Sequence, residues 1–377
     1  MRFGLSPSPL QVWAVEDTSV QLTWGHLPPG PVTAWSRHVH ATVEHGGGPG
    51  SLDLSGLEPN SAQRIDVSWP GGRGQLEAST LPAPPGQQLC RVATISDLHL
   101  GARRWGASKL MVDRSGEVTP FPLRCARAAI AEAVAWGAEV LIVKGDAAHR
   151  QHSDDFAQVG QLLDGFDELP VLLIPGNHDV DGRGDCELPA KVGQRGIPYV
   201  RGAACEDLNA IRIIVADTTV AGAGPGAIEP VASDICELAA ASPRPFLLGI
   251  HHQLQPFRFP THYPAGIAAP ASTAFLDQLA GANPNGLVTS GHTHRNRARF
   301  HRSLPLTEVA STRDWPGVWA GYAVHEGGIR QVIRRTVAPE AISWHEYSRR
   351  ALLGRWEGWS AGRLGERCFT HRWPDFA

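Results

Sequence analysis

The sequence contains no run of about 18 apolar residues, the length that spans a bilayer as a helix, so membrane insertion is not expected. Its opening, MRFGLSPSPLQVWAVEDTS, has neither the continuous apolar centre of a cleaved leader nor a twin-arginine signal, and a cytoplasmic location is the expectation. The six cysteines (Cys90, Cys125, Cys186, Cys205, Cys236 and Cys368) include no C-x-x-C pair, which argues against a zinc knuckle or disulfide framework and for reduced thiols. Basic charge is not in excess either. With 34 Lys and Arg against 37 Asp and Glu, the net charge of -3 disfavours a protein whose main task is to coat nucleic acid. Internal repeats and low-complexity segments are lacking as well.

What is present suits two globular domains: 377 residues, 42% apolar and 19% charged. Residues 1–85 read as a small antiparallel β-sandwich. SVQLTW puts Val20, Leu22 and Trp24 on one face, RIDVSW does the same with Ile65, Val67 and Trp69, and the turn clusters LPPGP and HGGGPG separate the runs. The Pro-rich LPAPPGQQ, residues 81–88, is the expected linker. Beyond it, the apolar runs RVATI, AEVLIV, PVLLI, IRIIVA, PFLLGI and GLVTS alternate with helical stretches, the clearest being LRCARAAIAEAVAWG (123–137), ended by Gly137. Runs without polar alternation belong to strands covered on both faces, which predicts a layered α/β domain over residues 86–340. GVWAGYAVH, the turn EGG and IRQVIRR predict a hairpin near its end. Residues 341–377, with Trp344, Trp356, Trp359 and Trp373, read as a helical tail packed on the body.

Histidine is over-represented: 17 residues are more than packing asks for, and imidazole is the commonest metal ligand among side chains. Position says more than number. SDLH follows the first apolar run, GD the second, GNHD the third, HH the fifth and GHTH the sixth. Ligands bind at the strand ends of open α/β sheets, so these groups could converge on one crevice. Asp97 and His99 are two apart, as are His292 and His294, and in extended backbone each pair would face one side and one ion. Carboxylate, amide and imidazole without thiolate suit manganese, iron or zinc in a non-structural site, and suit calcium less. Two cations a few ångströms apart repel unless an anion lies between them, and Asp146 is the candidate bridge.

The order D-x-H, G-D, G-N-H-D, H, G-H-x-H appears here as Asp97-Leu98-His99, Gly145-Asp146, Gly176-Asn177-His178-Asp179, His251 and Gly291-His292-Thr293-His294. It resembles the calcineurin-like metallophosphoesterase superfamily over residues 91 to about 335. The resemblance implies a four-layer α/β/β/α sandwich, preceded here by the small all-β domain. It also implies two metal ions, one on Asp97, His99, Asp146 and His294 and the other on Asp146, Asn177, His251 and His292, with a hydroxide between them attacking phosphorus in line. His178 would then protonate the leaving oxygen or stabilise charge on the phosphoryl group, Asp179 would orient His178, and Gly176 would permit the tight turn that presents them. Residues 1–85 resemble a fibronectin type III module in the Trp24 strand, in LSGLEPNS and in the exit LPAPPG, with Gln63 where that family's corner tyrosine would stand.

Departures narrow the expectation. A β-module ahead of such a domain is similar to purple acid phosphatases, but those use D-x-G and G-D-x-x-Y. His99 and His149 stand at the Gly and Tyr positions here, so neither that ligand set nor its charge-transfer colour is expected. GNHD likewise departs from the GNRD of lipid A precursor hydrolases. GDAAH is similar to the GDxxH of DNA-repair nucleases, which makes His149 a candidate phosphate contact. His252, Arg103, Arg104 and Arg313 are further candidates, the arginines because a guanidinium grips phosphate bidentately. The expected activity is hydrolysis of a phosphodiester or phosphomonoester of a small molecule, cyclic-nucleotide-type diesters included. A DNA nuclease is disfavoured by the acidic balance and the lack of a basic, aromatic-studded strip, and a silent binding scaffold by the complete ligand set. The N-terminal module is expected to serve positioning, partner binding or self-association.

Overall fold

The computed structural model describes residues 10–106, 110–257 and 263–374. Residues 1–9, on which much of the leader argument rests, lie outside them. Residues 11–79 form seven strands in two antiparallel sheets. Gln11–Val15, Ser19–Leu27 and Gly48–Ser55 make one, and Val39–His45, Gly30–Ser36, Ala62–Trp69 and Gly72–Ser79 make the other. Val20, Leu22, Trp24, Val32, Leu54, Ile65 and Val67 share the core of this module, as the alternation predicts. At the corner, Gln63 is buried, and its amide accepts from Ser36 Oγ at 2.9 Å and donates to Ser61 Oγ at 2.6 Å.

Gln21 breaks the polar-out alternation: it is buried, because a second domain covers that face. Its amide exchanges two hydrogen bonds with the backbone of Arg335, at 3.1 and 3.0 Å. Trp13 stands edge-on to Trp315 with ring centroids 6.0 Å apart, and Glu16 pairs with both Arg330 and Arg334. The linker is tied down as well, since Thr370 Oγ1 donates to the carbonyl of Pro82 and Gln87 N to the carboxylate of Glu326. The all-β module is therefore docked rather than tethered.

All six apolar runs are strands. Gln88–Ile95, Val140–Lys144 and Val171–Ile174 run parallel in one six-stranded sheet, completed by the hairpin Val318–His325 and Gly328–Arg335 and by Cys368–Arg372. Ile211–Ala216, Phe246–Ile250, Gly286–Ser290 and Leu304–Glu308 run parallel in the second, with Ala203–Leu208 and Arg297–His301 antiparallel at its edges. Val92, Ile142, Val215, Leu247, Leu287 and Tyr322 pack between the sheets. Helices Phe121–Ala135 and Ser153–Asp164 cover the outer face of the first sheet, and Ala232–Ala240 and Ala269–Ala282 that of the second. The result is a four-layer α/β/β/α sandwich, whose strands are apolar on both sides because both sides are covered.

The C-terminal segment is helical at Pro339–Ser348, Arg355–Ser360 and Leu364–Arg367, and it departs from the expected helical tail at Cys368–Arg372, which pairs with Gly328–Arg335 as an edge strand of the first sheet. Cys368 is buried and Phe369 packs on the inter-sheet core, an apolar pair that the surrounding Arg and Trp residues obscure in the sequence. No described helix is long and apolar enough to cross a membrane.

Candidate metal centre

Each motif begins where a parallel strand ends, and backbone hydrogen bonds fasten the motifs together. Asp97 N donates to Gly145 O at 3.1 Å and His99 N to Asp146 O at 2.8 Å. Ligand atoms of Asp97, His99 and His294 lie within 4.8 Å of one another, as do those of Asp97, Asp146 and His251. Asp146 faces both halves of the cluster, with Oδ2 3.5 Å from His99 Nε2 and Oδ1 3.5 Å from His251 Nε2. Asn177 Oδ1 is 3.2 Å from His251 Nε2, and the rings of His251 and His292 are 5.0 Å apart. All seven residues read as metal ligands in the sequence thus come together.

The backbone that achieves this is not extended. Asp97 (φ 56°), His99 (48°), Asp146 (49°), His292 (67°) and His294 (51°) are all left-handed, a conformation that costs a non-glycine residue on the order of 1–3 kcal/mol. Neighbours hold it: Ser96 Oγ and His292 N both donate to Asp97 Oδ2, at 2.5 and 3.0 Å. Alternate left-handed residues turn both members of D-x-H and of H-x-H inward. Gly176, by contrast, has φ -111° and is needed for space, since a Cβ there would collide with the backbone nitrogen and carboxylate of Asp146. Gly145 needs both freedoms: its φ is +82°, and a Cβ would sit 2.6 Å from Gly176 N and 2.8 Å from His251 Nδ1.

Asp179 does not touch the imidazole of His178. Its carboxylate accepts from the backbone nitrogens of Gly176 (2.8 Å), Ala148 (2.8 Å) and Ala147 (3.3 Å), locking the GNHD turn to the GD loop. It is His149 O, 2.9 Å from His178 Nδ1, that orients the ring. The ring of His149 lies 5.7 Å from those of both His178 and His99, at the edge of the centre. His252 is buried beside His251 and His292, its ligand atom within 4.8 Å of theirs, with Nδ1 2.9 Å from Thr218 Oγ1 and Nε2 3.2 Å from Gly224 O. Arg103 and Arg104 are exposed, whereas Arg313 is buried at 6% exposure.

Electrostatics prepare two of the imidazoles, His99 and His292, for a cation. Burial, and then the positive charge of Arg313, push His99 well below the usual imidazole range, and burial with His251 pushes His292 down to about 4. Both are therefore neutral donors. Burial alone would lower His294 too, but the carboxylates of Asp314 and Asp97 raise it to about 10. Asp179 is pushed up to about 7 by burial and by the charge of Asp146. The donor set passes a direct test of fit: Asp97 Oδ1 and both ring nitrogens of His99 are buried with no hydrogen-bond partner. Such atoms suit a cation, and a mixed O/N set suits a transition metal.

Two residues of the site were not read from the sequence. Asp314 Oδ2 lies 2.7 Å from His294 Nδ1, and its Oδ1 accepts from Trp356 Nε1 at 3.3 Å. A carboxylate behind an imidazole fixes the tautomer and aims Nε2 at the centre. An available signal was position: STRDWPG follows a parallel strand, as the motif loops do. Trp356 had none, because its contact is made from 42 residues away.

A four-layer sandwich whose parallel strands end in such an Asp, Asn and His cluster defines a metal-dependent hydrolase of phosphoesters. The chain belongs to the calcineurin-like phosphoesterase family, whose model matches residues 90–296. Among solved structures it is similar to purple acid phosphatase PPD1 from yellow lupin (Lupinus luteus) seeds, at 12% identity and a TM-score of 0.44, covering 88% of this chain and 72% of that one. It is also similar to PhoD (12% identity, TM-score 0.42, 88% and 87% covered). A third is phosphopantetheinyl hydrolase (PptH) from Mycobacterium tuberculosis (15% identity, TM-score 0.32, 60% and 91% covered). No curated protein matches the chain.

Proposed function

We propose that the centre holds two transition-metal ions, manganese, iron or zinc, and hydrolyses a phosphodiester or phosphomonoester of a small molecule, cyclic-nucleotide-type diesters included. Asp97, His99, Asp146 and His294 would hold one ion, and Asp146, Asn177, His251 and His292 the other. The observation that carries this is the single carboxylate of Asp146 set 3.5 Å from an imidazole on each side, His99 and His251. Such ions, when bound, supply Lewis acidity at phosphoryl oxygens and a nucleophile from water near neutral pH.

The chain contributes the rest. His178 donates Nδ1–H to the carbonyl of His149 (2.9 Å), so that in the imidazolium form Nε2–H would give its proton to the leaving oxygen or meet charge on the phosphoryl group, leaving the neutral Nδ1–H imidazole behind. Asp179 is a positioning residue that acts through the backbone of the turn. The fibronectin-like module contributes positioning through Trp13, which packs on Trp315 beside Asp314. Protein reconstituted with manganese should hydrolyse bis-(p-nitrophenyl) phosphate or p-nitrophenyl phosphate and lose that turnover on chelation. Asp146→Ala and Asn177→Ala should each abolish it, and full activity in both would sink the reading.

One observation favours a second reading, a nuclease: the ring of His149 is stacked on that of His178, 5.7 Å away and inclined by 19°. Selective loss of single-stranded DNA cleavage in His149→Ala would support it, and a wild-type protein that leaves such DNA intact would remove it.

A further inference from the structure

We propose that Arg313 is the phosphoryl-binding residue of the centre, and that its guanidinium fork selects a phosphomonoester over a diester. The inference rests on the phosphohydrolase reading above and narrows its substrate class.

Arg313 is the one arginine, of the three flagged in the sequence, that is buried, with 6% of its surface exposed. Its guanidinium is incompletely satisfied, because Nε is buried without a hydrogen-bond partner. The nearest carboxylate oxygen, Asp314 Oδ2, stands 3.6 Å from Nε, beyond hydrogen-bond reach, and is itself engaged with His294 Nδ1 at 2.7 Å. The other oxygen of Asp314 accepts from Trp356. A buried guanidinium whose one ion pair is long, and shared with a carboxylate that His294 already engages, is undersatisfied, and a ligand would complete it.

The position of the residue indicates what that ligand is. Its loop is stapled to the D-x-H turn: Ser311 Oγ donates to Asp97 O at 2.8 Å, Thr312 N to Ser96 O at 3.2 Å, and Arg313 N to Ser311 Oγ at 2.9 Å. From behind, Trp344 Nε1 donates to Arg313 O at 2.7 Å and His345 Nε2 to Thr312 O at 2.9 Å. The backbone that carries Arg313 is thus fixed against the D-x-H turn, and the charge of its guanidinium acts on His99, Asp97 and Asp146. A guanidinium fork carried on such a loop, beside a phosphoester centre, matches two phosphoryl oxygens at once.

Counting oxygens decides between ester classes. A diester has two non-ester oxygens and one negative charge, whereas a monoester has three such oxygens and approaches two charges. If one oxygen faces Asp146 and the ions, two remain for a bidentate grip only in the monoester. The ester group then points away from Arg313, toward His178.

The test uses full-length protein reconstituted with manganese, as wild type, Arg313→Ala and Arg313→Lys, the lysine variant keeping the charge while losing the fork. Three quantities are read: bound manganese, the affinity for inorganic phosphate by calorimetry, and kcat/KM for p-nitrophenyl phosphate and bis-(p-nitrophenyl) phosphate. Manganese content should not change. Phosphate affinity should fall about ten- to hundredfold in both variants, as expected for loss of charge-assisted hydrogen bonds. The wild type should prefer the monoester, and the variants should lose that preference because the monoester rate falls more. Unchanged phosphate affinity with manganese bound, equal loss on both esters, or a wild type that prefers the diester would overturn the proposal. A wild type that binds no manganese would instead overturn the phosphohydrolase reading beneath it.

Discussion

Asp314→Asn is the perturbation that most sharply separates orientation from ligation. Asp314 is fully buried, and it receives His294 Nδ1 on one oxygen (2.7 Å) and Trp356 Nε1 on the other (3.3 Å). Asparagine has the same shape but only one acceptor oxygen. If that oxygen faces His294, the amide NH2 meets the indole N–H; if it faces Trp356, the NH2 meets the imidazole N–H. Either way two donors oppose each other, and the charge that holds His294 in its tautomer is gone. A charge-assisted hydrogen bond is worth about 1.5–3 kcal/mol, and losing the outer partner of a metal-binding histidine typically costs about 10–100-fold in metal affinity. These magnitudes agree, because about 1.4 kcal/mol is a factor of ten. On the proposed ligand set, a manganese titration against a competing chelator should therefore show Asp314→Asn weakened about 10–100-fold. Trp356→Phe, which removes one neutral hydrogen bond, should weaken binding by only about two- to tenfold. A folded Asp314→Asn protein with wild-type manganese affinity would refute the reasoning.

Three further outcomes follow from the same contacts. Trp13→Ala removes a side chain packed on Trp315 and beneath the guanidinium of Arg367, 4.1 Å from its ring, and urea unfolding should report a loss of about 3–5 kcal/mol while metal stoichiometry is kept. His345 is held down to about 3, by burial and then by Arg335, against 6.5 when unfolded. The unfolded chain therefore binds the extra proton between those values, so stability is complete above pH 6.5 and falls as the pH drops toward about 3. The His345 share amounts to about 2 kcal/mol at pH 5, and His345→Gln should flatten the fall in denaturation curves across that window. His178→Ala should lower kcat about 10²- to 10⁴-fold, the usual range for a general acid, and should spare manganese binding; a loss confined to metal affinity would reassign the residue.

The parts of the molecule legible in the sequence are those set by local pattern. Six apolar runs gave six strands because burial on both faces removes polar alternation, and the motifs were recognisable because each sits directly after such a run. The ligand residues could be read as types, but their backbone could not: i and i+2 spacing suggests an extended chain, whereas Asp97, His99, His292 and His294 are left-handed, and only surrounding hydrogen bonds sustain that. Asp179 illustrates the same gap. Adjacency to His178 suggested a side-chain contact, yet the 3-10 turn Asn177–Val180 aims the carboxylate at backbone nitrogens. Contacts made across the chain were least visible. Trp356 reaching Asp314, Gln21 reaching Arg335 and Cys368–Arg372 joining the sheet depend on long-range packing with no local period to announce it.

The most direct test of the central claim is a count of metal ions per chain by elemental analysis of protein reconstituted with manganese, made alongside phosphoester turnover for wild type and Asp146→Ala. The account predicts two ions in the wild type and, because both halves of the centre share Asp146, loss of tightly bound metal and of turnover together in the variant. A wild type with no bound ion, or an Asp146→Ala protein that keeps two ions and full turnover, would contradict it.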